Sequence, residues 1–180
     1  MTDRYTPTAI TLHWLIALLI FAAFPLGLYM HDLPLSPTKL RLYSYHKWIG
    51  VTIFMLAILR LLWRARHPVP ALPLTMKRWE KLAAHGTHHT IYLLLFIIPL
   101  SGWLMSSAKG FQTVWFGVLP LPDLVGKNKE LGATLETLHA ILNYAMFGLV
   151  IAHIGAAIKH HFFVRDDVLT RMLPLARKKP

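Results

Sequence analysis

"LHAILNYAMFGLVIAHIGAAIKHHFF", residues 138–163, holds no Asp, Glu, Lys or Arg before Lys159 and places two histidines, His139 and His153, fourteen positions apart. Fourteen residues is almost four helical turns. At about 100° per residue the second imidazole returns to within about 40° of the first, about 21 Å further along the axis. One stripe of one helix thus offers two imidazoles at two depths of a membrane. Each has a counterpart near the start of an earlier apolar segment, His13 and His46.

The chain around this stretch is apolar throughout. Its 180 residues are 55% hydrophobic and 15% charged, with a mean hydropathy of +0.47, outside the range of an ordinary soluble domain. Charges are absent from Thr6 to His31, Trp48 to Leu59, Ala83 to Ala108 and Thr137 to Ile158. With its flanks, each stretch supplies the roughly 20 residues that cross a hydrocarbon core. Four spans are predicted, at about residues 9–30, 42–63, 82–107 and 133–163, within a single domain covering 1–180. The first span has neither a basic leader nor a small-residue cleavage site, so it is read as retained in the mature protein. The chain has no cysteine. Thiolate-held zinc, haem or iron-sulfur clusters are thereby excluded, and histidine must carry any metal chemistry.

The net charge of +11 is uneven along the chain. Arg64, Arg66, Lys77, Arg78 and Lys81 lie between spans two and three, and Lys159, Arg165, Arg171, Arg177, Lys178 and Lys179 follow span four. The other two loops hold Lys39, Arg41, Lys109, Lys127 and Lys129. By the positive-inside rule both termini and the central loop face the cytoplasm of a bacterial inner membrane. These cations flank membrane spans, which argues against a nucleic-acid-binding stripe. Pro34 and Pro37 mark a first outer loop, Pro68, Pro70 and Pro73 the inner one, and Gly110, Gly117, Pro120, Pro122 and Gly126 a second outer loop. Pro25 and Pro99 fall inside spans, where a kink is expected.

Orientation assigns each histidine a depth. His13 and His153 fall toward the inner side, His46 and His139 toward the outer side, so depth pairs His13 with His153 and His46 with His139. Neutral imidazole is an axial ligand for haem iron, and facing helices hold a flat apolar macrocycle between them. Zinc needs further ligands, and no carboxylate accompanies His13 or His153. Bis-histidine haem is the better fit. Gly50 and Ala17 lie one turn from His46 and His13, and Ala152 and Ala156 flank His153, leaving clearance for a porphyrin or for close helix packing. Gly27, fourteen residues after His13, opens a gap at the outer level. Arg60, fourteen after His46, reaches the inner level, where it pairs with a haem propionate or snorkels to the interface.

At this point the chain resembles the bacterial cytochrome b561 family of di-haem inner-membrane cytochromes. The resemblance is carried by "TLHWLI" around His13, "YHKWIGV" around His46, "AAHGTHHTIYLLLFIIPLSGWLM" in span three, the opening stretch in span four and "LTRMLP" near the end. It implies an all-α membrane protein, a four-transmembrane-helix bundle enclosing two b-type haems, with His13 and His153 as ligands of the cytoplasmic haem and His46 with His139 for the periplasmic one. Short stand-alone members resemble superoxide oxidases, which pass two electrons from superoxide to ubiquinone. Related four-histidine bundles serve as haem b subunits linking quinone to a peripheral dehydrogenase or hydrogenase. A non-redox metal carrier is the remaining class, and it predicts no haem absorption.

Filled axial positions favour outer-sphere electron transfer. Lys39, Arg41, Lys109, Lys127 and Lys129 present cations to an anionic donor at the outer mouth, diluted by Asp123 and Glu130. His85, His88 and His89 open span three at the inner surface, where His88 is placed to bond a propionate or a quinone carbonyl. His160, seven residues beyond His153 and beside His161, matches the family's paired histidines and is the second quinone candidate. His31 and His67 fall in loops, and the six tryptophans read as interfacial anchors.

Overall fold

The computed structural model describes residues 4–73 and 75–174. Arg177, Lys178 and Lys179 lie outside the described residues. Helices α1 (Pro7–Asp32), α2 (Pro37–Arg66), α3 (Arg78–Ala108) and α4 (Lys129–Lys159) run up and down as a bundle, and each is long and apolar enough to cross a membrane. Both described chain ends and the α2–α3 connection lie at one end, the terminal end. The α3–α4 connection folds at the other as a small antiparallel hairpin, β1 (Val114–Trp115) against β2 (Leu119–Pro120), the hairpin end. Sequence reading had expected a plain loop there.

Helices α1, α2 and α3 exceed the predicted spans at both ends, and α4 begins at Lys129 but ends at Lys159, before residue 163, because the starts are set by capping residues and not by the hydrocarbon. Thr6 Oγ1 accepts Ala9 N, Ser36 Oγ accepts Lys39 N and Asn128 Oδ1 accepts Leu131 N. Each such cap is worth about 1 kcal/mol. Pro7 and Pro37 occupy first-turn positions that need no N–H donor, so Pro37 begins α2 instead of lying in a loop. His31 likewise falls in the last turn of α1. Both α1 and α3 continue through Pro25 and Pro99.

The bundle is built in heptad layers. On α1 the register runs His13, Ile20, Gly27; on α2 His46, Ile53, Arg60; on α3 His88, Leu95, Gly102; on α4 His139, Met146, His153. Residues seven apart stay on one stripe, about 10.5 Å apart along the axis. Ile53, Leu95 and Met146 belong to the buried apolar middle with Ile16, Ala57 and Leu94, and Ile20 packs on it. Outward, the pattern inverts: Leu18, Met55, Leu93 and Ile151 are each more than half exposed. No water-soluble bundle leaves such a belt on all four helices, whereas lipid covers it.

Tryptophans tie the ends to this frame. Trp48 Nε1 donates to Val114 O at 2.6 Å, Trp103 Nε1 to Pro122 O at 3.0 Å and Trp115 Nε1 to Thr52 Oγ1 at 3.3 Å. At the terminal end Trp14 Nε1 donates to Met172 O and Trp63 Nε1 to Thr6 Oγ1, both at 2.8 Å. These indoles do more than mark an interface: they fasten loops and chain ends to the helices.

Candidate functional site

Two layers of the register carry the chemistry. In the terminal-end layer the His13 and His153 rings stand 6.2 Å apart, centre to centre, at 69°. In the hairpin-end layer His46 and His139 stand 6.3 Å apart at 80°. The structure therefore brings together both pairs that depth alone suggested. An imidazole nitrogen binds a metal at about 2 Å and lies about 1.1 Å from its ring centre, so two rings on opposite sides of one metal stand about 6.3 Å apart. Both separations suit a pair of imidazoles that would hold one haem iron between them. His88, 5.4 Å from His153, is too close to share a metal with it in that way.

The hairpin-end rings are seated by glycines that face them. A β-carbon at Gly27 would lie 3.1 Å from His46 Cε1, and one at Gly102 would lie 3.1 Å from His139 Cε1. In both cases Nε2 is the ring nitrogen further from the glycine. The gap expected at Gly27 is thus occupied by an imidazole. Ser101 Oγ lies 2.9 Å from His139 Nδ1, while His46 Nδ1 is buried with no side-chain partner and only the Ala23 backbone beside it. Nothing lies within 4 Å of a β-carbon at Gly50.

Around the terminal-end pair lies a cleft of about 350 Å³ between α1, α4 and the α2–α3 connection. Its described lining carries Arg60, Arg64 and Arg171 but no carboxylate. Arg60 Nη1 donates to His13 Nδ1 at 3.0 Å. Arg60 and Arg64 both stack on Tyr92, at 5.4 and 5.3 Å from its ring centre. Arg171 is paired with Asp167 at 2.9 Å, but Arg60 and Arg64 reach into the apolar cleft with no carboxylate on its described lining; such cations suit an anionic occupant, and haem carries propionates. His67, expected in a loop without a role, stacks flat on Trp63 at 3.9 Å and lines this cleft.

His160 is buried beyond the cleft. The chain leaves α4 through a single π-helical turn, His160–Val164, and Arg165 takes a left-handed conformation at φ 60°. This reversal lays Asp166 against the imidazole, with Nδ1 and Oδ2 2.5 Å apart, while Asp166 Oδ1 accepts Val168 N. His160 is not among the residues lining the cleft, whereas His88 is.

The hairpin-end cations are ordered unevenly. Lys39 Nζ donates to the carbonyls of His31 and Leu33 that end α1, and Lys109 pairs with Glu136 at 2.7 Å. Lys127 lies along Gly110, and Lys129, like Arg41, is exposed. Lys47 escaped sequence reading, although its position beside His46 could have flagged it. Its ammonium ties α2 to Ser106 Oγ and to the Phe111 and Gln112 carbonyls.

Four membrane-length helices with facing imidazole pairs at two levels define a membrane cytochrome. The chain belongs to the prokaryotic cytochrome b561 family, whose model, described as "Prokaryotic cytochrome b561", matches residues 4–175. It is 34% identical over 172 residues to cytochrome b561 homolog 2 of Escherichia coli (strain K12), covering 95% of this chain and 92% of that one. It is 29% identical to the probable superoxide oxidase CybB of Yersinia pestis, over 98% of this chain and 99% of that one. Cytochrome b561 homolog 1 of E. coli is also 29% identical, over 96% and 98%. The family implies haem b and transmembrane electron transfer.

Proposed function

We propose that this chain is a single-domain, di-haem electron carrier of the bacterial inner membrane that oxidises superoxide at the periplasmic side and reduces ubiquinone. Bound haem supplies one-electron storage at each level. The observation that carries the reading is the pair of ring separations, 6.2 and 6.3 Å, at two depths of one bundle. The likeness to a probable superoxide oxidase supports the choice of donor. The hairpin end is periplasmic and both termini are cytoplasmic, in accord with the basic residues around the α2–α3 connection and after α4.

Each residue then has a task. His46 with His139, and His13 with His153, would hold the two irons. A guanidinium only donates, so while Arg60 bonds His13 Nδ1 the ring proton sits on Nε2. Nε2 would be free to hold iron only with the proton on Nδ1 and Arg60 released from it, and a haem propionate would be a partner for the freed guanidinium. His88, beside His153, bonds the same propionates or the quinone. His160 is held by Asp166 and stands as a proton donor at the cytoplasmic side. Two superoxide ions each lose one electron and leave as oxygen, while one quinone gains two electrons and two protons to become quinol.

Rapid mixing of the purified protein with superoxide tests this. Haem absorption is expected to shift to the reduced form before spontaneous dismutation consumes the superoxide, and added ubiquinone is expected to reverse the shift. Reduction no faster than dismutation would sink the proposal and leave electron carriage for a peripheral dehydrogenase as the better reading. The exposed cations give a second test. Replacing Arg41, Lys127 and Lys129 together with glutamine is expected to slow reduction by superoxide about tenfold at low salt and to flatten its salt dependence. An unchanged rate and salt slope would remove electrostatic steering from the account.

A further inference from the structure

His46 and His139 share one level, yet their second nitrogens meet different chemistry. Ser101 Oγ donates to Ile98 O at 2.8 Å, a back-bond along its own helix. A hydroxyl has one proton, so Oγ offers His139 only lone pairs, and across the 2.9 Å separation His139 Nδ1 must be the donor. The imidazole therefore carries its proton on Nδ1 and its lone pair on Nε2, the nitrogen further from Gly102. Ser101 is buried, so water does not compete for the bond. His46 Nδ1, also buried, meets no hydroxyl and has only the Ala23 backbone beside it.

We propose that Ser101 is a positioning residue for the hairpin-end haem: by accepting the His139 N–H it fixes the ligating tautomer and lowers the reduction potential of that iron. A ligand whose far nitrogen gives up proton density to an acceptor becomes more basic, and a more basic ligand favours the oxidised metal. One level of a two-level carrier is thereby tuned without touching the other. The proposal rests on His139 as a haem ligand.

The test is a spectrally resolved redox titration of full-length Ser101→Ala and Ser101→Thr proteins. In Ser101→Ala the hairpin-end component is expected to become about tenfold easier to reduce, about 59 mV for one electron, while the terminal-end component stays in place. Ser101→Thr keeps the hydroxyl and is expected to restore the original value. Loss of the hairpin-end haem in the alanine variant with retention in the threonine variant also supports the proposal. An unmoved hairpin-end component in Ser101→Ala, or equal loss of that haem in both variants, overturns it. His139→Ala separates the two layers of inference: retention of both haems there refutes the ligand assignment instead.

Discussion

His153→Ala is expected to yield a folded protein with one haem per chain in place of two and with quinone reduction lowered at least 100-fold. The side chain stands at the junction of the terminal-end layer, 6.2 Å from His13 and 5.4 Å from His88. Removal of a group that merely hydrogen-bonds a metal ligand already costs 10- to 100-fold in metal affinity, and loss of the ligand itself costs more. The hairpin-end level, about 21 Å away along the axis, shares no ligand with this one and should keep its haem. Between them lies the apolar layer of Ile53, Leu95 and Met146, which has no polar group through which the damage spreads. Haem extraction and a resolved redox titration check the outcome. Retention of both haems, or loss of both, would contradict two independent levels.

Much of this arrangement was legible in the sequence because fourteen is close to four helical turns and histidine is expensive in lipid. The stripes on α1, α2 and α4 could be read from His13 to Gly27, His46 to Arg60 and His139 to His153. The stripe on α3 has the same spacing, His88 to Gly102, and was missed for a physical reason. Its hairpin-end member has no side chain, and its partner Ser101 looks like any small residue that lets helices approach. Only the His139 ring lying against Gly102 and Ser101 reveals what the two are for. The hairpin was hidden because its strands are two residues long, too short for any alternation. Asp166 was hidden because its contact depends on a π-helical turn and on left-handed Arg165, where tertiary closure overrides local preference. The helix starts were placed too late because charge-free windows mark hydrocarbon and not capping.

Gly102→Val is the complementary lesion, expected to remove the hairpin-end haem and spare the terminal-end one. A β-carbon alone would come to 3.1 Å from His139 Cε1 and 3.4 Å from Nδ1, so even alanine obliges the ring to move by a few tenths of an ångström. Valine adds two methyl groups whose rotamer is nearly fixed in a helix, and overpacking of this kind costs about 1–3 kcal/mol. The ring has little room to yield, since Ser101 holds its Nδ1 and His46 stands 6.3 Å away. Displacement moves the ring out of the position from which it would hold a metal together with His46. Gly148→Val is the control: that glycine is exposed on α4, and nothing lies within 4 Å of its β-carbon position. It should keep both haems. The two lesions are expected to divide one activity into its halves. His153→Ala protein should still be reduced by superoxide yet fail to pass electrons to quinone, while Gly102→Val protein should be reducible by quinol yet no longer respond to superoxide. Stopped-flow spectra with each donor in turn decide it, and a Gly102→Val protein that reacts with superoxide at the original rate would show that electrons enter this bundle somewhere other than the hairpin-end histidines.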